Sequence, residues 1–475
     1  MNNHDLSPIA IPAHIQERIA ARQRSNGGAC YGVVPATSWE PSPVVAPLGG
    51  LAHHLNDYNQ RFFVMLVGGT PLVFDEAAKD VVGQSMSFAN FRQLYQNHKV
   101  GSDSVASEWL KYPLRRTLVG EIIHAPDKPQ GTVGDDYNTY RGPIVTPLAG
   151  DCTAVQKHIY ECLCGGDQNQ FDYYVNFLAH MFQKPQERPG VAIIHQSIEG
   201  TGKSLITRLL SNIWGSKHSI VLDKQSQLTG DFNAHLCGAM FICIEETSTA
   251  RNIAAGEQLK NLVTAETLTI NPKGKPVFQV SHYGRVIMNT NHEWAITAGS
   301  DSRRWFVPDI SEHRVGESSY FRKLARAISD EKVQQAFLSY LLGLDLDSFD
   351  PTEIPQTKAL RAQRGQTLSR LDMPLDWLRI MLSNGFIEGR YGQTVDWESK
   401  HFEIPRSTLR DSYDSFVFRR RSAPNFDTAV KSLKQVISVI DGPQRRLGGQ
   451  RCRTYVLPGL GTAVQEFEAS TRIKV

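Results

Sequence analysis

The chain has 475 residues, 41% of them hydrophobic, and a formal net charge of +3. That is enough for two to four domains of roughly 100–200 residues, each with a packed core. No apolar run approaches the ~20 residues needed to span a bilayer, and Met1-Asn-Asn-His-Asp-Leu6 is not a secretory leader. The seven cysteines are scattered and odd in number. Cys162 and Cys164 are too close for a zinc knuckle and have no second pair at metal spacing, so free thiols in a reducing, cytoplasmic setting are expected.

Residues 1–46 are an N-terminal segment and linker. A short helix fits Pro12 to Arg24, then Ser25-Asn-Gly-Gly28, Pro35, Pro41 and Pro43 break the chain. Residues 47–150 read as a small α+β module. Phe62–Val67 and Leu72–Phe74, joined by Gly68-Gly-Thr-Pro71, predict a β-hairpin. Phe88–His98 predicts a helix, and Leu118–Ile123 a strand. Arg115 and Arg116 are either nucleic-acid contacts or ordinary surface charges. Residues 151–190 carry helical periodicity at Val155, Ile159, Leu163 and Phe171–Phe182, as a collar packed beside the segment that starts at Val191.

Val191–Ile194 predicts a buried strand, and Leu205, Ile206, Leu209, Leu210 and Ile213 an amphipathic helix. Between them runs Ser197-Ile-Glu-Gly-Thr-Gly-Lys-Ser204. Strand, Gly-rich loop and helix with Lys-Ser at the loop end form a P-loop pattern. Its backbone N–H groups and the helix N-terminus cradle phosphates. Gly200, Thr201, Gly202, Lys203, Ser204 and Leu205 are the expected nucleotide contacts, with Lys203 on the β- and γ-phosphates and Ser204 on Mg²⁺. Ser197 stands where the pattern has its first glycine.

Cys237–Ile244 predicts a second buried strand, ending in Glu245-Glu246. Carboxylates at such a tip sit beside bound phosphates. Glu245 would orient Mg²⁺, and Glu246 would polarise water if the chain bends after Glu245. A helix at Ala254–Ala265 comes next. Strands Thr267–Ile270 and Val277–Val280 flank a turn carrying Lys273 and Lys275, which is either a phosphate-gripping hairpin or a plain basic turn. Arg285–Met288 predicts another strand, leading to Asn291, the preferred γ-phosphate or water ligand, with Asn289 as the alternative. Arg303 and Arg304 precede a further strand. Arg303 is favoured as an arginine supplied across a subunit boundary.

Helices are expected from Glu312 to about Leu344, then an acidic linker at 345–355. From Arg361 onward there are 19 Lys and Arg against 12 Asp and Glu, which suggests a polyanion partner. In 356–458, helices at Met373–Leu382, Pro405–Phe418 and Asn425–Ile440 precede a hairpin around Gly448-Gly449. Helix, helix, hairpin is a winged-helix order. Arg445, Arg446, Arg451 and Arg453 would line the wing over DNA, with Arg419–Arg421 nearby. The tail, 459–475, carries no signal.

The run Ser197–Ser204, Phe241–Glu246, the Lys-tipped hairpin, Ile287–Asn291 and Asp301–Arg304 resembles the superfamily 3 helicases, and more narrowly the helicase half of phage and poxvirus-type primase-helicases. Leu55–Tyr58 and Trp109–Arg116 look like the segment preceding the ATPase in that family. The resemblance implies an α/β fold with an AAA+ P-loop core at 151–345. It implies ATP and Mg²⁺, single-stranded or forked DNA, a homo-oligomeric ring (usually a hexamer), 3′→5′ translocation and a separate primase or polymerase partner. Lys203 would bind phosphate and Ser204 and Glu245 magnesium. Glu246 would act on water, Asn291 as sensor and Arg303 as finger. No primase domain is expected in this chain. The leading expectation is therefore an ATP-dependent DNA helicase of phage or mobile-element replication. The other expectations are an ATP-switched DNA-binding loader without unwinding, or a defence ATPase.

Overall fold

The computed structural model describes residues 50–78, 84–246, 253–298, 303–389, 393–418, 420, 423–447 and 450–475. The helix expected at Pro12–Arg24, the positions Asp301, Arg419 and Arg421, and the Gly448-Gly449 turn lie outside the described residues. The chain divides into two compact units. The first takes its residues from Met1–Thr247, Ile253–Asn291 and Ile310–Pro355; the second from Ser248–Asn252, His292–Asp309 and Gln356–Val475.

The first unit opens with α1 (Leu51–Arg61) and the antiparallel hairpin β1 (Phe62–Val67) and β2 (Thr70–Asp75). Its turn is shorter than the sequence suggests. Gly68 and Gly69 both take positive φ, 54° and 78°, the conformation that a two-residue hairpin loop requires. Helices α2 (Phe88–Leu94) and α3 (Val105–Lys111) close a small core of Tyr58, Phe62, Phe91 and Trp109. The expected helix to His98 stops at Leu94. The expected strand Leu118–Ile123 is two short strands, Thr117–Leu118 and Ile122–Ile123, in different sheets. Between them a Cβ at Gly120 would lie 2.2 Å from Asp136 Oδ1, so that position is held as glycine by close packing.

Next come α4 (Thr153–His158), one π turn (Ile159–Leu163) and α5 (Gln168–Gln183). They lead to β3 (Ala192–Gln196), α6 (Lys203–Trp214), β4 (Ser219–Leu222), β5 (Phe241–Glu245), α7 (Ile253–Thr264) and β6 (Arg285–Thr290). The four strands lie parallel in the order β4-β5-β6-β3. β6 is buried at every residue: β5 and β3 flank its edges, and helices α6 and α7 pack against it. β5 begins at Phe241 rather than Cys237. Cys237 closes a short turn, and Gly238 takes φ 75°.

Helix α6 begins after Gly202 and ends at Gly215, whose N–H bonds to Ser211 O at φ 70°. Its Ile206, Leu209, Leu210, Ile213 and Trp214 are fully buried, each stabilising by about 1.5–3 kcal/mol. Trp214 stacks on Phe182 of α5 at 4.9 Å. Helices α8 (Ser318–Ser329) and α9 (Glu331–Gly343) complete the unit. The mixed α/β class and the parallel sheet agree with the expected fold.

The second unit holds α10 (Lys358–Leu371), α11 (Met373–Asn384), β7 (Phe402–Pro405), α12 (Arg406–Val417), α13 (Phe426–Val436), β8 (Ile440–Leu447), β9 (Gln450–Leu457) and α14 (Leu460–Thr471). The sheet order is β7-β9-β8. Trp377, Leu378, Leu409, Leu433 and Leu457 form its core. The tail without signal is largely a helix, α14, whose Ala463 and Phe467 are buried in that core. Helix α10 also has no apolar stripe in the sequence. Its buried face includes Gln363, Arg364 and Thr367. Gln363 Oε1 accepts from Ala295 N at 2.9 Å, and Thr367 Oγ1 from Trp294 Nε1 at 3.1 Å.

Candidate functional site

The strand order brings the C-terminal tips of β3, β5 and β6 to one edge of the sheet, where α/β folds place ligands. A cleft of about 760 Å³ opens there, lined by Gly200, Lys203, Ser204, Glu245, Glu246 and Asn291 among others. All of these lie in the first unit. Leu205 also lines the cleft, and Thr201 sits buried behind the loop.

The loop is built for close approach. Gly200 and Gly202 take φ +82° and +84°. A Cβ on Gly202 would lie 2.7 Å from His158 Cε1 and from Phe321 Cε1. His158 Nε2 donates to Gly202 O at 3.3 Å, and its Nδ1 accepts from Tyr320 Oη at 3.1 Å. The departure at Ser197 has a structural account. Ser197 is 6% exposed and its Oγ is 2.8 Å from Thr201 Oγ1, so its hydroxyl closes the loop. Among the described non-glycine residues only Glu246 and Arg472 take positive φ. Position 197 therefore does not need glycine.

Lys203 is buried, and its Nζ bonds to Ser197 O (3.2 Å), Ile198 O (3.1 Å) and Asn291 Oδ1 (2.5 Å). Burial pushes its ammonium below the ordinary value, opposed by the negative charges of Glu245, Glu199 and Glu246. Asn291 also donates to Glu199 Oε1 at 3.3 Å. Asn289, the alternative ligand, is 0% exposed and touches Glu245 rather than the cleft. Glu246 takes φ 51°, an uncommon conformation for a residue with a side chain. Its N–H donates to Asn289 O at 2.8 Å, and its side chain is exposed. This is the bend after Glu245 that two adjacent acids need to serve one site.

Two arginines that the sequence did not single out, Arg208 and Arg322, also line the cleft. Arg208 lies one helical turn beyond Ser204 and so shares its face, which is the signal that could have found it. Arg322 comes from α8, and no local pattern ties it to the loop. Among the described residues no group of three or more His, Cys, Asp or Glu is arranged to hold a metal. A Mg²⁺ ion needs fewer, because it keeps several waters and binds through one or two carboxylates and phosphate oxygens. Ser204 and Glu245 fit that habit.

The remaining candidates of the first unit do not line the cleft. Lys273 is exposed at the tip of the Thr267–Ile270 and Phe278–Ser281 hairpin, whereas Lys275 is half-buried and donates to Ser85 Oγ at 3.0 Å. Arg116 is paired with Glu76 at 2.6 Å and Arg115 donates to Leu110 O at 2.7 Å, so both hold the fold. Arg303 is exposed and Arg304 half-buried, both in the second unit. Between β8 and β9, Arg446 pairs with Arg451, Gln444 with Arg453, and Arg445 with Cys452. Directly opposed residues share a face. Arg446, Arg451 and Arg453 therefore form one exposed cationic face. Arg445 lies on the other, held by Glu403 through two 2.9 Å bonds.

Among the described residues no helix is long and apolar enough to cross a membrane. Residues 195–304 match the model of a family of unknown function, DUF5906. Over 263 residues the chain is 24% identical to a DNA primase-polymerase of Nitratiruptor phage NrS-1, covering 52% of this chain and 36% of that protein. The chain thus spans about a third of that relative's length. Apo structures of the NrS-1 C-terminal region share the fold. One has a TM-score of 0.59 at 18% identity over 86% of this chain and 99% of that one; another has 0.60 at 17% over 85% and 98%. These findings correct the reading drawn from the superfamily 3 resemblance. The similar protein is a primase-polymerase, so the ATP-driven helicase does not stand, and the ATP-switched loader fits no better. The chain is similar in sequence to a phage DNA primase-polymerase and in fold to the C-terminal region of NrS-1.

Proposed function

We propose that this chain is a DNA-replication protein of the primase-polymerase type, whose cleft binds a nucleoside triphosphate with Mg²⁺ and whose basic wing holds DNA. The observation that carries this reading is the shared cleft of Lys203, Ser204, Glu245, Glu246 and Asn291. The parallel sheet with its GTGKS loop is read as a P-loop core of the AAA+ kind. When bound, Mg²⁺ would neutralise phosphate charge, with Ser204 and Glu245 holding it. Lys203 exchanges its bonds to the Ser197 and Ile198 carbonyls for phosphate oxygens. Asn291 keeps the ammonium aimed at them. Glu246 supplies a second carboxylate at the same end of the cleft. Arg208 and Arg322 add positive charge along the ligand. Arg303 and Arg304 belong to this reading only as residues of a neighbouring copy in a homo-oligomer, which sizing with and without nucleotide tests.

Titration with a fluorescent ATP analogue tests the site. A charge-assisted hydrogen bond is worth about 1.5–3 kcal/mol, so Lys203→Ala should weaken binding about 10- to 150-fold. Unchanged affinity refutes the site. Primer synthesis on a single-stranded template tests the wider reading: product from the full chain would overturn the expectation that it holds no primase domain, and no product refutes the reading.

A further inference from the structure

The buried polar groups behind the cleft form one connected chain. Glu245, Asn289 and His195 are register partners across β5, β6 and β3. Asn289 Nδ2 donates to Glu245 Oε1 at 2.8 Å and to Thr207 Oγ1 at 3.1 Å. Thr207 in turn donates to Ser204 O at 3.1 Å. On its other side Asn289 Oδ1 lies 2.7 Å from His195 Nδ1, and His195 Nε2 lies 3.0 Å from Tyr174 Oη. All four of Asn289, His195, Tyr174 and Thr207 are at most 2% exposed.

Only one arrangement satisfies these contacts. A carboxylate accepts and does not donate, so the amide nitrogen must face Glu245 and the amide oxygen must face His195. His195 then carries its proton on Nδ1, and Nε2 accepts from the Tyr174 hydroxyl. Every bond on the path from Tyr174 to Glu245 points the same way, and aligned hydrogen bonds of this kind strengthen one another. Cys243 Sγ, 3.3 Å away, is a second donor to Glu245 Oε1.

We propose that Asn289, braced by His195 and Tyr174, is the positioning residue for the Mg²⁺ end of the cleft. It fixes Glu245 directly, and Ser204 through Thr207. This assignment rests on the nucleotide–Mg²⁺ reading of the cleft. Asn289 touches no ligand, so its effect is confined to the part of nucleotide affinity that Mg²⁺ supplies.

The test is titration of the full chain with a fluorescent ATP analogue, once with Mg²⁺ and once with EDTA. Outer-shell partners of a metal site typically contribute about 10- to 100-fold in metal affinity. Asn289→Ala and His195→Leu should weaken binding in Mg²⁺ by about that factor, with affinity in EDTA within about twofold of the parent. His195→Asn, which keeps an N–H near the Nδ1 position, should recover most of the loss. Thermal melts identify variants that fail to fold, and the two His195 variants then decide the matter. Equal loss with and without Mg²⁺ overturns the proposal, as does no loss in either. If the parent itself shows no gain from Mg²⁺, the underlying reading falls and this one with it.

Discussion

Of the six histidines buried among the described residues of the first unit, the five most deeply buried make it acid-sensitive. His124, His158, His195, His218 and His282 are each at most 2% exposed. Burial keeps each ring neutral, and each has a fixed hydrogen-bond partner. His218 Nδ1 donates to Gly238 O at 2.7 Å while its Nε2 accepts from Arg141 N at 2.8 Å, and His282 Nε2 donates to Leu262 O at 2.9 Å. Burial pushes His158, His195, His218 and His282 down to about 4 and His124 down to about 3. The unfolded chain, with histidine near 6.5, binds more protons than the native one between these values. Stability is therefore full above pH ~6.5 and falls as pH drops toward 4. From pH 6 to pH 5 each such histidine contributes a loss of about 1 kcal/mol, or about 5 kcal/mol for five. That is comparable with the whole stability of a domain, about 5–15 kcal/mol. The second unit has no buried histidine among its described residues and serves as the internal control. Urea unfolding read by hydrogen-exchange mass spectrometry, which reports peptides of the two units separately, measures both. The first unit should lose about 5 kcal/mol and the second much less. His282→Gln, which keeps a donor for Leu262, should remove about 1 kcal/mol of that loss. A loss below about 1 kcal/mol, or equal slopes in both units, would refute the argument.

Single contacts give further expected outcomes. Gly202→Ala forces a left-handed alanine, at a cost of about 1–2 kcal/mol, onto His158 and Phe321; nucleotide affinity and melting temperature should both fall, and a neutral result would show that the loop is not held there. Replacing Arg446, Arg451 and Arg453 together by Ala should lower the slope of log affinity against log salt by about 2–3 for DNA, whereas Arg445→Ala, already tied to Glu403, should change it by less than about 0.5. Arg285 is buried and donates to the carbonyls of Lys184, Pro185, Tyr283 and Glu187. Arg285→Met strands those acceptors, at about 1–3 kcal/mol for each left without a partner, and should destabilise the first unit by about 3 kcal/mol or more, read as a denaturation midpoint.

Local pattern carried much of the candidate site. The GTGKS loop, the acids at 245 and 246 and the amide at 291 are each the product of a short run in which strand, turn and helix preferences agree, and they meet in one cleft. The pairing of β8 with β9 was legible for the same reason. Its arginines were not separable by sequence, because which side of a strand they occupy depends on the register of β8 against β9. Helix α10 was hidden because its buried face is polar and is satisfied by residues some 70 positions away. The resemblance to helicases failed for a related reason. It rests on a short loop motif and nearby acids that many reactions share, since fold and motif do not by themselves decide chemistry.

The sequence by itself determined the Gly-rich loop, the acids and amide that share its cleft, the basic charge of the C-terminal part and the absence of an apolar run long enough to span a bilayer. These depend on neighbours within a few residues of one another. Tertiary structure alone decided that Asn289 is buried behind Glu245 rather than facing a ligand, that Arg208 and Arg322 join the cleft, and that Arg445 faces away from the other wing arginines. Those outcomes depend on strand order and register, which are set by the packing of segments far apart in the chain and leave no trace in local periodicity.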